Sequence, residues 1–404
     1  MGEVLRNTVV RRLWYAQIVS QFGDFLALFA VIGVLTFKLH ATAEQVTGVQ
    51  ISYMVPIAVL GVIAGVFVDR WPLKITLVSS DLIRAGLTLL LIFCTSIWHF
   101  YAVMAAISVV SSFFGPAQGV TVRSSTPLHG LRAANGLMMQ VMFIMRIIGP
   151  AVAGWLVAAF GPRSCYIGDT ISFVASACFI VSIAIRQPDA KQEENTHTGL
   201  TRVLHDMQTG IKFIWHHATL FFMMLAMAAG MFTVGCFGPL IAIYVRDTVH
   251  ASTRTFGFVS GSIGLGILLG INVLNTVGKK FPNTLLVYFG LGGIGAGLLV
   301  LAAFSHIYTA ILACILVGFC VSCIIVPSQT LIQQETPAHL MGRVGSTSMS
   351  AIFGAQVLGL PLSGILAQLT SVRTVFICCA VFLALLIVIG KLWMEPKPAA
   401  SASA

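Results

Sequence analysis

Long apolar runs constrain this chain more than any other feature of its sequence. An α-helix needs about 20 residues to cross the hydrocarbon core of a bilayer, and twelve runs reach that length. They lie at about 13–38, 45–68, 75–95, 98–122, 130–159 and 163–185, and then at about 219–245, 254–277, 283–304, 306–332, 341–368 and 372–394. Of 404 residues, 57% are apolar and 9% charged, which excludes a soluble globule. We therefore predict an all-α membrane protein with twelve transmembrane helices, numbered here as spans 1 to 12.

The last six spans repeat the first six. Residues 126–129, Thr-Pro-Leu-His, recur as Thr-Pro-Ala-His at 336–339, which is 210 residues later. Single residues recur at the same spacing: Gly149 and Gly359, Gly154 and Gly364, Arg163 and Arg373. Six spans return the chain to the side where it began, so we predict two parallel six-helix repeats. The predicted organisation is a half at 1–185, a linker at 186–218, a half at 219–394 and a disordered tail at 395–404.

Basic residues are distributed unequally between the two sides of the predicted membrane. With both termini in the cytoplasm, sixteen Lys and Arg residues fall on the cytoplasmic side and five on the other. This bias follows the positive-inside rule. The net charge of +10 is therefore a topology signal, and we expect no nucleic-acid partner.

The sequence lacks the nucleotide-binding motif G-x-x-x-x-G-K-[ST] and the enzyme motifs H-E-x-x-H and G-x-S-x-G, and it has no paired metal-ligand motif. The linker ends in a predicted amphipathic helix at 200–217, whose adjacent His216 and His217 point to different faces. Most of the nine cysteines lie in apolar runs and are predicted to be buried, inert thiols. A G-x-G-x-x-G at 290–295 lies inside an apolar span and is interpreted as packing glycine. We expect no catalytic activity, no cofactor and no metal.

The connection between spans 2 and 3 carries a specific motif. It runs from Gly65 through Asp69 and Arg70 to Lys74. This stretch resembles the G-x-x-x-D-R loop of the major facilitator superfamily, although Trp-Pro follows where the family has a small residue and a basic run. The resemblance implies a two-half secondary transporter. It also implies that Asp69 helps to hold the cytoplasmic side closed in the outward-facing state, with Arg123 at the end of span 4 as its expected partner.

Span 5 contains a second motif, Gly149-Pro150 followed by Gly154. Proline removes a helical hydrogen bond and glycines permit close packing, so the stretch predicts a kink. It resembles the G-P-x-x-x-G part of the antiporter signature found in efflux members of the superfamily.

Nearly the whole chain resembles one branch of that family, the bacterial macrolide-efflux and enterobactin-export proteins. The stretches that carry the resemblance are Gly23-Asp24, Asp81-x-x-Arg84, Phe113-Phe114-Gly115-Pro116-Ala117 and Gly168-Asp169-Thr170-Ile171-Ser172-Phe173. The first of these is also similar to lysophospholipid transporters and to bacterial relatives of ferroportin. The apolar part of span 4 lacks the arginine that the superfamily associates with proton coupling.

Ionisable residues inside the spans are the candidates for a functional site, because charge is costly in a bilayer. Asp81 and Arg84 are three residues apart, so we expect a structural pair on span 3. Arg146 and Asp169 are expected to brace spans 5 and 6. Asp24 lies near mid-membrane with no basic residue within one turn, and Arg146 is the partner expected for it. An acid in that position suits a proton or a cationic substrate.

We therefore predict a secondary active transporter of a bacterial inner membrane that exports small amphipathic molecules or drugs by alternating access. A proton gradient is the expected driving force, and the protein is expected to be a monomer in the lipid bilayer. Two alternatives stay open: a lysophospholipid, siderophore or metal-ion transporter of the same fold, and a membrane sensor that does not transport.

Overall fold

Long α-helices make up nearly all of the described part of the chain. The computed structural model describes residues 4–68, 71–127, 130–185, 211–215, 217–276, 278–337 and 340–394. The first six helices are α1 (Thr8–Gly33), α2 (Ala43–Val68), α3 (Leu73–Leu90), α4 (Ile97–Ser125), α5 (Leu131–Phe160) and α6 (Pro162–Val181). The next six are α7 (Ala218–Ile243), α8 (Thr253–Thr276), α9 (Asn283–Ala303), α10 (Ile307–Glu335), α11 (Met341–Leu369) and α12 (Val372–Ile389). No β-strand occurs within the described ranges.

The helices have the length and composition of membrane spans. Ten of them, some with short extensions, are long and apolar enough to cross a bilayer. The other two, α2 and α5, have 26 and 30 residues. Large apolar side chains within the helices, such as Ile75, Ile171 and Leu385, are exposed, and lipid would cover them. The predicted all-α membrane fold is confirmed.

The two groups of six helices repeat each other in register. Helices α1 to α6 begin at residues 8, 43, 73, 97, 131 and 162, and α7 to α12 begin at 218, 253, 283, 307, 341 and 372, so each counterpart starts 210 residues later. The turns repeat as well, because π-helical turns follow α1 at Val34–Lys38 and α7 at Tyr244–Thr248. His40 and His250, also 210 apart, share the same left-handed backbone conformation, with φ of 49° and 54°. The predicted pair of six-helix repeats is confirmed.

Internal packing divides the described chain into two compact units. The first comprises Met1–Leu200 with Val245–Gly261, and the second comprises Thr201–Tyr244 with Ser262–Ala404. In the first unit α1 packs against α5 and α6, while α3 packs against α4 and α6. In the second unit the corresponding helices make corresponding contacts, α7 with α11 and α9 with α10 and α12. The turn after α7 and the start of α8 thus belong to the first unit.

Several sequence predictions concern the linker, the tail and the cysteines. Of the linker, residues 211–215 are helical, whereas 186–210, His216 and the tail at 395–404 lie outside the described residues. The nine cysteines are free thiols. Six are buried, as predicted, whereas Cys178 and Cys378 are exposed and Cys94 is half-buried.

Candidate functional site

Four charged side chains of the first unit meet between α1, α3 and α6. Asp24 comes from α1, Asp81 and Arg84 from α3, and Asp169 from α6; together they are called the carboxylate cluster below. Asp81, Arg84 and Asp169 are buried, whereas the Asp24 side chain keeps 12% of its surface exposed. The bilayer interior does not solvate charge, so these groups depend on one another and on neighbouring polar side chains.

Arg84 is the centre of the carboxylate cluster. Its Nη2 donates to Asp81 Oδ1, which forms the i,i+3 pair expected from the sequence, and its Nη1 lies 3.8 Å from Asp24 Oδ2. The guanidinium group lies over two aromatic rings, 4.6 Å from the centroid of Phe114 and 4.3 Å from that of Phe173. Cation–π contacts of this kind are strongest where water is excluded. Arg84 is therefore held tightly by Asp81 and shared more loosely with Asp24.

Hydroxyl groups donate hydrogen bonds to carboxylate oxygens of Asp81 and Asp169. Ser176 Oγ donates to Asp81 Oδ2 at 2.6 Å, which completes the environment of that pair. Thr88 Oγ1 donates to Asp169 Oδ2 at 3.1 Å, and Ser172 Oγ lies 3.3 Å from Asp169 Oδ1. Among the described side chains, the recorded partners of Asp169 are hydroxyl groups and not a cation.

Asp24 is the member of the cluster that reaches a polar surface. Tyr53 on α2 donates a hydrogen bond to its carboxylate, and Gln21 Nε2 lies 3.5 Å from Asp24 Oδ2. Gln17 and Gln21 precede Asp24 by seven and three residues, a spacing that places all three on one face of α1. Gln118 on α4 donates to Gln17. A polar strip thus leads from Asp24 toward the N-terminal end of α1.

Glycines let the helices around the cluster approach closely. A Cβ at position 23 would lie 2.2 Å from Asp169 Oδ1 and 2.0 Å from Ser172 Oγ, so only glycine lets α1 pack this close to α6. A Cβ at Gly149 would lie 2.5 Å from the Cβ of Phe25, which fixes α5 against α1 in the same way. The first glycine of the span 5 motif is therefore a tight packing position.

The remaining predicted site residues do not join the cluster within the described structure. Gly65 lies in the last turn of α2, Lys74 in the first turn of α3, and Arg123 is exposed in the last turn of α4. Asp69 and Arg70 lie outside the described residues. Their roles in a gate stay predictions.

Arg146 and Pro150 belong to α5, but their side chains also lie outside the described part of the structure. The arginine that the structure describes beside Asp24 is Arg84. The pairing of Asp24 with Arg146 stays a prediction. The bracing of spans 5 and 6 by Arg146 and Asp169 stays a prediction.

The polar neighbours of the charges are not among the residues predicted from the sequence. Thr88 lies one turn after the arginine, and Ser172 and Ser176 lie three and seven residues after Asp169, so each shares a helix face with a charged residue. That spacing could have identified them. Tyr53 comes from another helix, and nothing in its local sequence points to Asp24.

Comparisons with known proteins agree with this architecture. The family model described as Major Facilitator Superfamily matches residues 13–354 and 223–404. Macrolide efflux protein A of Streptococcus pyogenes is 25% identical over 94% of this chain and 96% of its own length. The multidrug efflux pump Tap of Mycolicibacterium fortuitum is 24% identical over 88% of each chain. The crystal structure of the nucleoside transporter NupG superposes with a TM-score of 0.73 at 15% identity, over 96% of this chain and all of that one.

Proposed function

The chain belongs to the Major Facilitator Superfamily, and from that premise we propose that it is a proton-coupled exporter of small amphipathic molecules. Transport itself follows from the family. The direction is supported by relatives along nearly the whole chain that are named as efflux proteins for macrolides and for multiple drugs. We place the protein in a bacterial inner membrane with both termini in the cytoplasm, which the distribution of basic residues supports.

The proposal depends above all on the composition of the carboxylate cluster. Among the described side chains, three carboxyl groups surround one guanidinium group in a part of the protein that lies inside the membrane. Three negative charges beside one positive charge would be strongly unfavourable in that medium. The cluster is stabilised when it takes up one more positive charge. A proton and the cationic group of a substrate can both supply it.

In our proposal, Asp24 is the residue at which a proton and the cationic group of the substrate replace each other. It is the partly exposed carboxylate, its ion pair with Arg84 is the longer one, and the polar strip of α1 leads to it. Asp81 is committed to Arg84 and Ser176, and Asp169 is enclosed behind Gly23. A proton on Asp24 and a cationic substrate beside Asp24 would therefore exclude each other, which is what exchange requires.

The test is transport by purified protein in proteoliposomes, with ethidium as the cationic probe and an imposed pH gradient. We expect Asp24→Asn to abolish gradient-driven ethidium movement while the protein still folds and inserts, because the neutral amide cannot exchange a proton for a cation. Glu44→Gln is the matched control, since it removes an exposed acid from the first turn of α2 and should leave transport unchanged.

Two results would contradict the proposal. Full gradient-driven transport by a well-folded Asp24→Asn protein would exclude Asp24 as the exchange site. Failure of the parent protein to move any member of a panel of organic cations and neutral amphiphiles would contradict the assigned class of substrate.

A further inference from the structure

The segment Val245–Gly261 joins two parts of the molecule that pack separately. It contains most of the π-helical turn after α7 and the first turns of α8, and it belongs to the first unit. From Ser262 onward the same continuous helix belongs to the second unit. If the two units move during transport, either α8 must bend or this segment must release its contacts with the first unit.

Arg246 makes two polar contacts that attach the 245–261 segment. Arg246 Nη1 donates to the carbonyl oxygens of Thr36 and Ala41, each at 2.9 Å. Both carbonyls lie in the turn after α1, where backbone acceptors lack helical partners and the helix dipole favours a cation. The guanidinium group thus acts as a cap for a helix far away in the sequence.

Asp247 fixes the orientation of that arginine. Arg246 Nε donates to Asp247 Oδ1 at 2.5 Å, and its Nη2 donates to Asp247 Oδ2 at 2.7 Å. These parallel bonds use one edge of the guanidinium fork and leave Nη1 directed at the two carbonyls. The Asp247 side chain is 52% exposed, so water can compete for this pair.

Aromatic and backbone contacts add to the attachment. The ring of Phe256 stacks on that of Phe29 with centroids 4.3 Å apart and planes at 9°. Gly257 crosses Gly154 of α5 so closely that a Cβ at position 257 would lie 2.5 Å from the Gly154 Cα. Phe256 is buried, and the centroid of its ring also lies 6.2 Å from that of Phe37. The attachment thus combines aromatic packing with a close approach of two backbones.

The repeat shows that this attachment is one-sided. The residue 210 positions before Arg246 is Thr36, whose buried hydroxyl has no partner among the described atoms. The turn after α1 therefore supplies acceptors, and the turn after α7 supplies the donor.

We propose that Arg246 is a latch residue, oriented by Asp247, that holds the turn after α1 to the 245–261 segment and releases it in each transport cycle. The cyclic release rests on the alternating access of the proposed function. The attachment itself does not, so the two can be tested apart.

Hydrogen exchange measured by mass spectrometry on the full-length protein in nanodiscs tests the attachment. Arg246→Lys keeps the charge but offers three donors on one nitrogen in place of the four N–H groups that Arg246 uses, so it loses the two parallel bonds to Asp247. We expect exchange to accelerate about tenfold or more, the range for losing hydrogen bonds to a charged group. The acceleration should appear at two backbone amides. The Ala41 N–H donates a hydrogen bond to the carbonyl of Leu35, and the Ala251 N–H donates one to the carbonyl of Val245. Acceleration confined to the turn after α1, or absent, would overturn the proposal.

Ethidium flux in proteoliposomes tests the release. Arg246→Lys and Asp247→Asn should each change the flux by at least about threefold, because weakening the latch shifts the balance between its two states. Arg254→Lys is the control, since this exposed arginine on the same segment lies over the Phe258 ring and makes none of the latch contacts. Accelerated exchange with unchanged flux would identify Arg246 as a static cap and overturn the latch. Lack of ethidium transport by the parent protein would count against the proposed function and leave the exchange result standing.

Discussion

The carboxylate cluster and its counterpart in the second repeat share one scaffold but not one chemistry. The positions 210 residues apart are Asp24 and Val234, Asp81 and Leu291, Arg84 and Ile294, and Asp169 and Cys379. Leu291 and Ile294 are fully buried, and Cys379 nearly so. Where the first repeat has Asp169, the second has a thiol on the wall of an apolar cavity of about 390 Å³.

The second repeat shows that this arrangement of helices can form without the charges. The second repeat forms the same helices, starting at equivalent residues, with aliphatic side chains at the positions of the ion pair. Aliphatic side chains of similar volume often replace a buried ion pair without loss of stability. We therefore infer that the charges of the first repeat serve a purpose other than holding its helices together, in keeping with the role in transport proposed above.

We expect the largest effect on stability when the charged pair of α3 is replaced by the Leu and Ile found at the equivalent positions of α9. Arg84→Ile alone leaves Asp81 buried with Ser176 as its remaining recorded partner, and removing one member of a buried pair costs about 3–5 kcal/mol. The double change Asp81→Leu/Arg84→Ile should regain most of that loss, to within about 1–2 kcal/mol of the parent protein. Unfolding of the purified protein in detergent measures both.

Ile294→Val is the control in the second repeat, where loss of one methylene group should cost about 0.5–1.5 kcal/mol. A double variant as unstable as Arg84→Ile would show that the first repeat does need its charges, and the comparison between the repeats would then fail.

The sequence predicted most of the fold and part of this cluster. Each span can be recognised by itself as a run of about 20 apolar residues. The repeat can be recognised from identical residues that recur at a constant spacing, so both could be predicted. The pairing of Asp81 with Arg84 followed from helical spacing. The approach of Arg84 to Asp24 did not, because it depends on how two helices rotate and tilt against each other. Arg246 appeared in the sequence only as one more basic residue outside the spans.

A smaller effect is expected at Gly23. In Gly23→Ala the new Cβ would lie 2.2 Å from Asp169 Oδ1 and 2.0 Å from Ser172 Oγ. Overpacking of this kind costs about 1–3 kcal/mol of stability. The equivalent residue of the second repeat is Thr233, which is buried, so α7 accepts a side chain where α1 does not. Thermal unfolding of Gly23→Ala in detergent measures the loss.

Gly86→Ala on α3 is its control, because a Cβ there has open space within 4 Å and should cost nothing. If Gly23→Ala matched Gly86→Ala in stability, close approach of α1 to α6 would not be needed to form the cluster.

The smallest expected effect concerns the hydroxyl that Thr88 donates to Asp169. The equivalent residue in α9 is Leu298, fully buried and apolar, because no acid lies opposite it there. Thr88→Val should cost about 0.5–1.5 kcal/mol, the usual value of one hydrogen bond, since Asp169 Oδ2 loses its donor. Thr121→Val is the matched control, because that hydroxyl is equally buried but bonds Ala117 of its own helix. In a double-mutant cycle with Asp169→Asn, the coupling should account for most of the Thr88 effect. A coupling of zero would mean that Thr88 is only packing, as Leu298 is, and that the two repeats differ less at this position than their sequences indicate.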